Sequence, residues 1–260
     1  MKPNALPLMS FNGLSFLSLD AVNFAYPDRG DVVKNVCLRL ETGEIHCLVG
    51  RSGCGKTTLL KLAAGLLKPQ TGSIQLKGQD VTKPVPDMGF VFQSPTLLAW
   101  LSVLDNVLLP LSLHGPVTEA QQAFGEQLLT QMGLTELRNE KPHQLSGGQQ
   151  SRVAIARALI TQPSVLFMDE PFASLDAITR DELQHDFLAM CRAQGTAVLF
   201  VTHDLGEAIY LADQVSLLSE GRIHTALQVS LPRPRQSSMR YTAAFNVLCE
   251  QLRHDLDAIK

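Results

Sequence analysis

The segment LVGRSGCGKTTLLKL, residues 48–62, decides how the rest of the chain is read. It places Gly50, Gly53 and Gly55 with Lys56, Thr57 and Thr58 directly after an apolar run and before a leucine-rich one. Residues 50–57, GRSGCGKT, satisfy G-x-x-x-x-G-K-[ST] between a predicted strand, IHCLV at 45–49, and a helical pattern, KTTLLKLAAGLL at 56–67. The glycines let backbone N–H groups across Gly50, Arg51, Ser52, Gly53, Cys54 and Gly55 surround phosphate oxygens, and the helix N-terminus adds favourable partial charge. Lys56 suits the outer phosphates, and the Thr57 hydroxyl can ligate Mg2+. Cys54 serves through its backbone and reads as a small filler, with a redox role left open.

A second segment completes this chemistry. SVLFMDEP, residues 164–171, is a short apolar strand ending in two acids: Asp169 can hold Mg2+ and Glu170 can polarise an attacking water. AVLFVTHD, residues 197–204, is a similar strand ending at His203. Continuous apolar strands with polar residues at their C-terminal ends belong to a buried, largely parallel sheet, where open α/β folds bind ligands.

The flanking regions read differently. Residues 14–24 and 32–40 alternate apolar and polar residues as half-buried strands, with the turn YPDRGD between them. Residues 94–160 carry leucine-rich helical patterns such as EAQQAFGEQLLTQMGL and form a helical insertion. SLPRPRQSSM, residues 230–239, reads as a linker, and the amphipathic stretch at 240–256 as a helix on a tether. The predicted fold is α/β, with a mixed or parallel sheet, an N-terminal antiparallel β subdomain and a helical insertion subdomain. Its boundaries are 14–235 for the main domain, 94–160 for the insertion and 236–260 for the tail.

The 260 residues suffice for a sizeable core. Twenty-two Lys and Arg against 25 Asp and Glu give a net charge of -3, so no global basic field suggests a nucleic-acid partner. Five scattered cysteines without a CxxC pair argue against a disulfide framework or a zinc site and read as reduced thiols. No window approaches the roughly 20 apolar residues of a membrane span.

The segment QLSGGQQSRVAIARAL, residues 144–159, narrows the nucleotide chemistry to one family. LSGGQ followed by an arginine and a helix resembles the signature of ATP-binding cassette ATPases. The resemblance covers roughly residues 14–225. It implies a P-loop NTPase core in which Ser146, Gly147, Gly148 and Gln149 of one subunit face the γ-phosphate of ATP held by another. It further implies that Tyr26 stacks on adenine, Gln93 reaches Mg2+ and the water, Asp176 crosses the dimer interface and His203 acts near the γ-phosphate. ATP and Mg2+ are the implied ligands, and two subunits must meet head to tail. The chain departs from the pattern at Ser151, where Gln or a basic residue is more usual, and at Ser174, where alanine or glycine is.

Without a membrane segment, a transport role implies separate transmembrane permease subunits, with a solute-binding protein beyond them. The chain would then sit peripherally on the cytoplasmic face of the inner membrane. In PTLLAWLSVLDNVLLPL, residues 95–111, the cluster Leu97, Leu98, Trp100 and Leu101 fits the permease contact, with Leu98 to Trp100 expected to be exposed. LLAWLSVLDNV and LPRPR resemble the importer subfamily for nitrate, sulfonates and taurine. Two other readings compete. A soluble cassette ATPase of DNA repair or of ribosomes would need no permease, and a P-loop kinase would leave LSGGQ and His203 without purpose.

Overall fold

The computed structural model describes residues 16–28 and 30–259. The first strand, expected from Leu14, is β1 (Leu17–Tyr26), and Leu14 itself lies outside the described residues. β1 pairs antiparallel with β2 (Gly30–Leu40), so the alternating runs form a hairpin as their period-2 pattern requires. Between these strands and the rest of their sheet comes β3 (Ile45–Val49), followed by α1 (Lys56–Ala63). β4 (Thr71–Leu76) and the two-residue β5 (Gln79–Asp80) then complete an antiparallel sheet in the order β2-β1-β4-β5.

The second sheet is the one that carries the chemistry. β6 (Met88–Val91), β7 (Val165–Asp169), β8 (Ala197–Val201), β9 (Gln214–Ser219) and β10 (Arg222–Gln228) join β3 in the order β10-β9-β3-β8-β7-β6. All neighbours are parallel except the β9–β10 hairpin, so the sheet is mixed. The apolar runs are continuous because both faces are covered. Ile45, Cys47, Val49, Met168 and Phe200 enter one core, while Leu48, Phe167, Leu199 and Val201 enter the other.

Between β6 and β7 lies the helical insertion: α2 (Val103–Ser112), α3 (Glu119–Gln131) and α4 (Gly147–Leu159). Ser102, Thr118 and Ser146 open these helices with capping boxes, each side chain accepting from a backbone N–H one turn on. α5 (Ala177–Gln194) starts at the N-cap Asp176 and ends at Gly195, and α6 (Leu205–Leu211) follows β8.

The tail is not on a tether. Arg235 is buried and donates to the carbonyls of Ile209, Tyr210 and Val229, while Arg192 and Arg233 pair with the buried Asp213. α7 (Ala243–Ala258) buries Phe245 and Leu252 in the core that also holds α6 residues Ile209 and Leu211. Prolines and arginines look like a linker in sequence because a buried arginine is costly; here the carbonyls accept from both terminal nitrogens of Arg235 and the nearby Asp213 offsets its charge.

His46 offers a pH handle on this fold. Its Nε2 lies 2.8 Å from Ser216 Oγ, and burial pulls its pKa down to about 4. In the unfolded chain it titrates near 6.5, so the unfolded state takes up a proton that the folded state refuses. The stability contributed by this neutral histidine is complete above pH 6.5 and is lost as pH falls towards 4, by about 3 kcal/mol. Denaturant titrations should show the native chain losing that much more than His46→Gln over this window; parallel losses would contradict the assignment.

Candidate nucleotide site

β3 runs straight into the glycine-rich loop, and Gly55 is the N-cap of α1 with φ of 108°. A Cβ there would stand 2.6 Å from the Val32 carbonyl, and one on Gly50 would stand 2.1 Å from that of Leu218. Only glycine lets the loop curl this tightly between β2 and β9. Lys56 is buried and its Nζ donates to the loop's own carbonyls, 2.8 Å from Gly50 and 3.0 Å from Arg51. The ammonium is therefore held at the loop's centre beside a cavity of about 740 Å³.

That cavity is walled by Ser52, Gly53, Cys54, Gly55, Lys56, Thr57 and Thr58 on one side and by Tyr26 on another. Tyr26 meets Phe24 edge-on at 4.9 Å, and its hydroxyl lies 3.5 Å from Thr58 Oγ1. Gln93 and Glu170 also line it. Burial pushes the Cys54 thiol above its ordinary range, against the opposing charge of Lys56. Burial outweighs the lysine and favours the neutral thiol.

The acidic pair divides into two settings. The Thr57 hydroxyl donates to Asp169 Oδ1 at 3.0 Å. Burial raises the Asp169 carboxyl, the Thr57 hydrogen bond opposes this, and the charge of Glu170 adds to it. Glu170 has a left-handed backbone, φ 48°, and its N–H donates to Val201 O at 3.0 Å. A non-glycine residue in that region is strained and is held there by its surroundings. Its carboxylate lies 3.4 Å from Gln93 Nε2 and 3.3 Å from His203 Nδ1, so β6, β7 and β8 deliver three side chains to one point.

Thr57 and Asp169 offer adjacent hard oxygens of the kind Mg2+ takes, and the small number of protein ligands matches that ion's habit of keeping water and phosphate oxygens. Among the described residues, no group of three or more His, Cys, Asp or Glu gathers for a metal. The loop glycines, Lys56 and the start of α1 suit a polyphosphate.

Ser146, Gly147, Gly148, Gln149 and Asp176 are not in this wall. Ser146 caps α4, with Gln149 N–H donating to its hydroxyl at 3.3 Å and Gln149 Oε1 accepting from its own N–H at 2.8 Å. Gly147 is exposed beside it, and Asp176 caps α5 by accepting from Thr179 N–H. The two departures from the family pattern meet: Ser151 Oγ lies 2.8 Å from Ser174 Oγ and ties α4 to the segment before Asp176. Each serine looks irregular alone, and together they satisfy one another.

Asp31, Val32, Lys34, Glu220 and Gly221 also line the cavity and were not expected from any motif. They arrive through backbone contacts, with Lys34 N–H donating to Gly221 O at 2.8 Å and Gly221 N–H to Cys54 O at 3.1 Å. The expected apolar cluster is split. Leu97 packs on the core, and Asn106 binds both backbone groups of the half-buried Leu98, while Trp100 is 72% exposed.

The chain is 42% identical over 229 residues to the bicarbonate transport ATP-binding protein CmpD of Synechocystis sp., covering 85% of this chain and 81% of that one. It is 40% identical over 259 residues to the nitrate import ATP-binding protein NrtD of Synechococcus elongatus, covering 93% and 94%. Its fold superposes on the dimeric post-hydrolysis structure of the ATP-binding cassette MJ0796 bound to ADP and Pi, with a TM-score of 0.75, 30% identity and coverage of 83% and 100%. The ABC transporter family model matches residues 33–173, the span from β2 through the phosphate loop and signature helix to the acidic pair, and the chain belongs to that family.

Proposed function

We propose that this chain is the ATP-hydrolysing subunit of an importer, pairing head to tail with a second copy and driving separate permease subunits. The observation that carries this is the separation within one chain of the Lys56 cavity from the exposed start of α4: each looks like half of a site. In the pair, Lys56 and the loop N–H groups bind the phosphates, Tyr26 stacks on the adenine, and Thr57, Asp169 and Gln93 hold Mg2+. The ion neutralises charge on the phosphates when bound. Glu170 takes the proton from the attacking water, with His203 and Gln93 orienting it. Ser146, Gly147, Gly148 and Gln149 of the second copy cap the γ-phosphate at a helix N-terminus, and Asp176 lies at the seam. Losing that phosphate releases the copies, a ligand-biased two-state switch.

Among the described residues, no helix is long and apolar enough to cross a membrane. In this reading the membrane path belongs to the permease. The relatives named above carry bicarbonate and nitrate in their names, which favours a small anion as solute, with sulfonates and taurine as further members of the class. Solute choice rests with the permease and a solute-binding protein. This subunit would lie on the cytoplasmic face of the inner membrane. Isolating the tagged protein from its own membranes should recover a multi-span permease in fixed ratio. Recovery of the protein alone, or with ribosomes or DNA, would overturn the reading.

Trp100 is the proposed anchor for that permease. Its backbone carbonyl accepts from Lys141 Nζ at 3.0 Å while its ring stays in solvent. An exposed aromatic of this kind behaves as an interface anchor, so Trp100→Ala should weaken permease binding by about 2 kcal/mol or more. A pull-down titration checks this; unchanged affinity would exclude Trp100 from the contact.

A further inference from the structure

His203 has a side chain that is 66% exposed, and its contact with Glu170 is the one ion-pair geometry it makes among the described residues. A ring so loosely packed takes its position from the backbone on either side. That backbone is held by a buried chain of hydrogen bonds leading away from the nucleotide cavity. The Asp204 N–H donates to Thr202 Oγ1 at 3.1 Å, and the Thr202 hydroxyl donates to Glu207 Oε2. Glu207 Oε1 accepts from Gln184 Nε2 at 3.2 Å, and Gln184 Oε1 accepts from the Arg240 guanidinium. Thr202, Gln184 and Glu207 are buried. Arg240 belongs to the docked tail, 4.0 Å over the Tyr210 ring and 3.4 Å from Asp181.

The direction of this chain is set from its far end. A guanidinium only donates, so Arg240 fixes the Gln184 amide with its oxygen towards the tail and its NH2 towards Glu207. Burial raises the Glu207 pKa to about 7, and in its ionised form the carboxylate only accepts, so it takes that NH2 and the Thr202 hydroxyl proton. Thr202, once a donor to Glu207, turns a lone pair to the Asp204 N–H. Without Arg240 the buried Gln184 oxygen loses its donor, the side chain can swing away from Glu207, the order is lost, and the backbone beside His203 loosens.

We propose that Arg240 is a positioning residue for His203, acting through Gln184, Glu207 and Thr202, and that the C-terminal segment thereby tunes hydrolysis. This rests on the reading of His203 as part of the hydrolytic site.

The test measures ATP turnover by the full-length chain against ATP concentration, with kcat normalised to the nucleotide-binding sites found by titration. Gln184→Met breaks the chain while leaving Arg240 its stacking on Tyr210 and its pairing with Asp181. Gln184→Met and Arg240→Ala are each expected to lower kcat by about 10- to 100-fold, since small misplacements of a reacting group cost that much, with KM for ATP unchanged. Arg240→Lys retains a donor and should recover most of the loss. Combining Gln184→Met with Thr202→Val should lower kcat no further than the worse single change, because both cut one path. Native kcat in a folded Gln184→Met chain, a loss confined to KM, or multiplying losses in the double variant would overturn the proposal. His203→Ala separates the two readings. If it keeps native turnover, the hydrolytic role of His203 fails; if it is inactive while Gln184→Met is fully active, only the positioning chain fails.

Discussion

Glu170→Gln is expected to lower ATP turnover by about 10²- to 10⁴-fold, the usual worth of a positioned general base, and to leave nucleotide binding intact. Glutamine keeps the size of the side chain and its contacts with Gln93 and His203, but it cannot accept a proton from water. Lys56 and the loop glycines, which hold the phosphates in this account, are untouched. The γ-phosphate then stays in place, and so does the pair of copies it joins. Light scattering with ATP should find a persistent dimer in Glu170→Gln and a transient one in the native chain. A variant that remains monomeric and hydrolyses ATP would remove Glu170 from its role.

Gly147→Asp should be comparably severe for a different reason. A Cβ on Gly147 would find nothing nearer than the Ser174 Cβ at 4.0 Å, so the side chain fits. The first turn of α4 has no acidic residue, and an aspartate there meets the positive end of the helix dipole, a gain of about 0.3–1 kcal/mol. The fold should therefore melt no earlier than the native one. The same carboxylate would face the γ-phosphate bound by the partner copy, and turnover should fall by about 100-fold or more. ATP binding by the single chain should stay unchanged, since Gly147 does not line its cavity. Native turnover in this variant would mean that α4 does not meet ATP.

The sequence carried the phosphate loop because its chemistry is local. Gly55 must adopt a positive φ, Lys56 must follow it, and both constraints sit within a few residues. β3, β7 and β8 were readable for a related reason: a strand buried on both faces has no polar side to show. Pairing across distance was not readable. Lys34 reaches the cavity through a backbone hydrogen bond that any residue could make, and Gly221 is held to glycine by its φ of 79° and its approach to the Val32 carbonyl, so no phosphate motif marks either. Arg233 and Arg235 suggested a solvated linker, and only the fold brings Asp213 and the α6 carbonyls to them. Leu98 looked as exposed as Trp100 until Asn106, a turn into α2, claimed its backbone. Ser151 and Ser174 were two separate irregularities in sequence and one hydrogen bond in space.

Completion of each nucleotide site by a second copy can be read from a mixture of two inactive variants. Lys56→Ala keeps an intact α4, and Gly147→Asp keeps an intact phosphate loop. In a head-to-tail pair of unlike chains, one site then carries both lesions and the other carries neither. Equal mixing makes about half the dimers unlike, so the mixture should recover about a quarter of native ATP turnover, although each variant alone is inactive. A mixture no more active than its components would contradict the account.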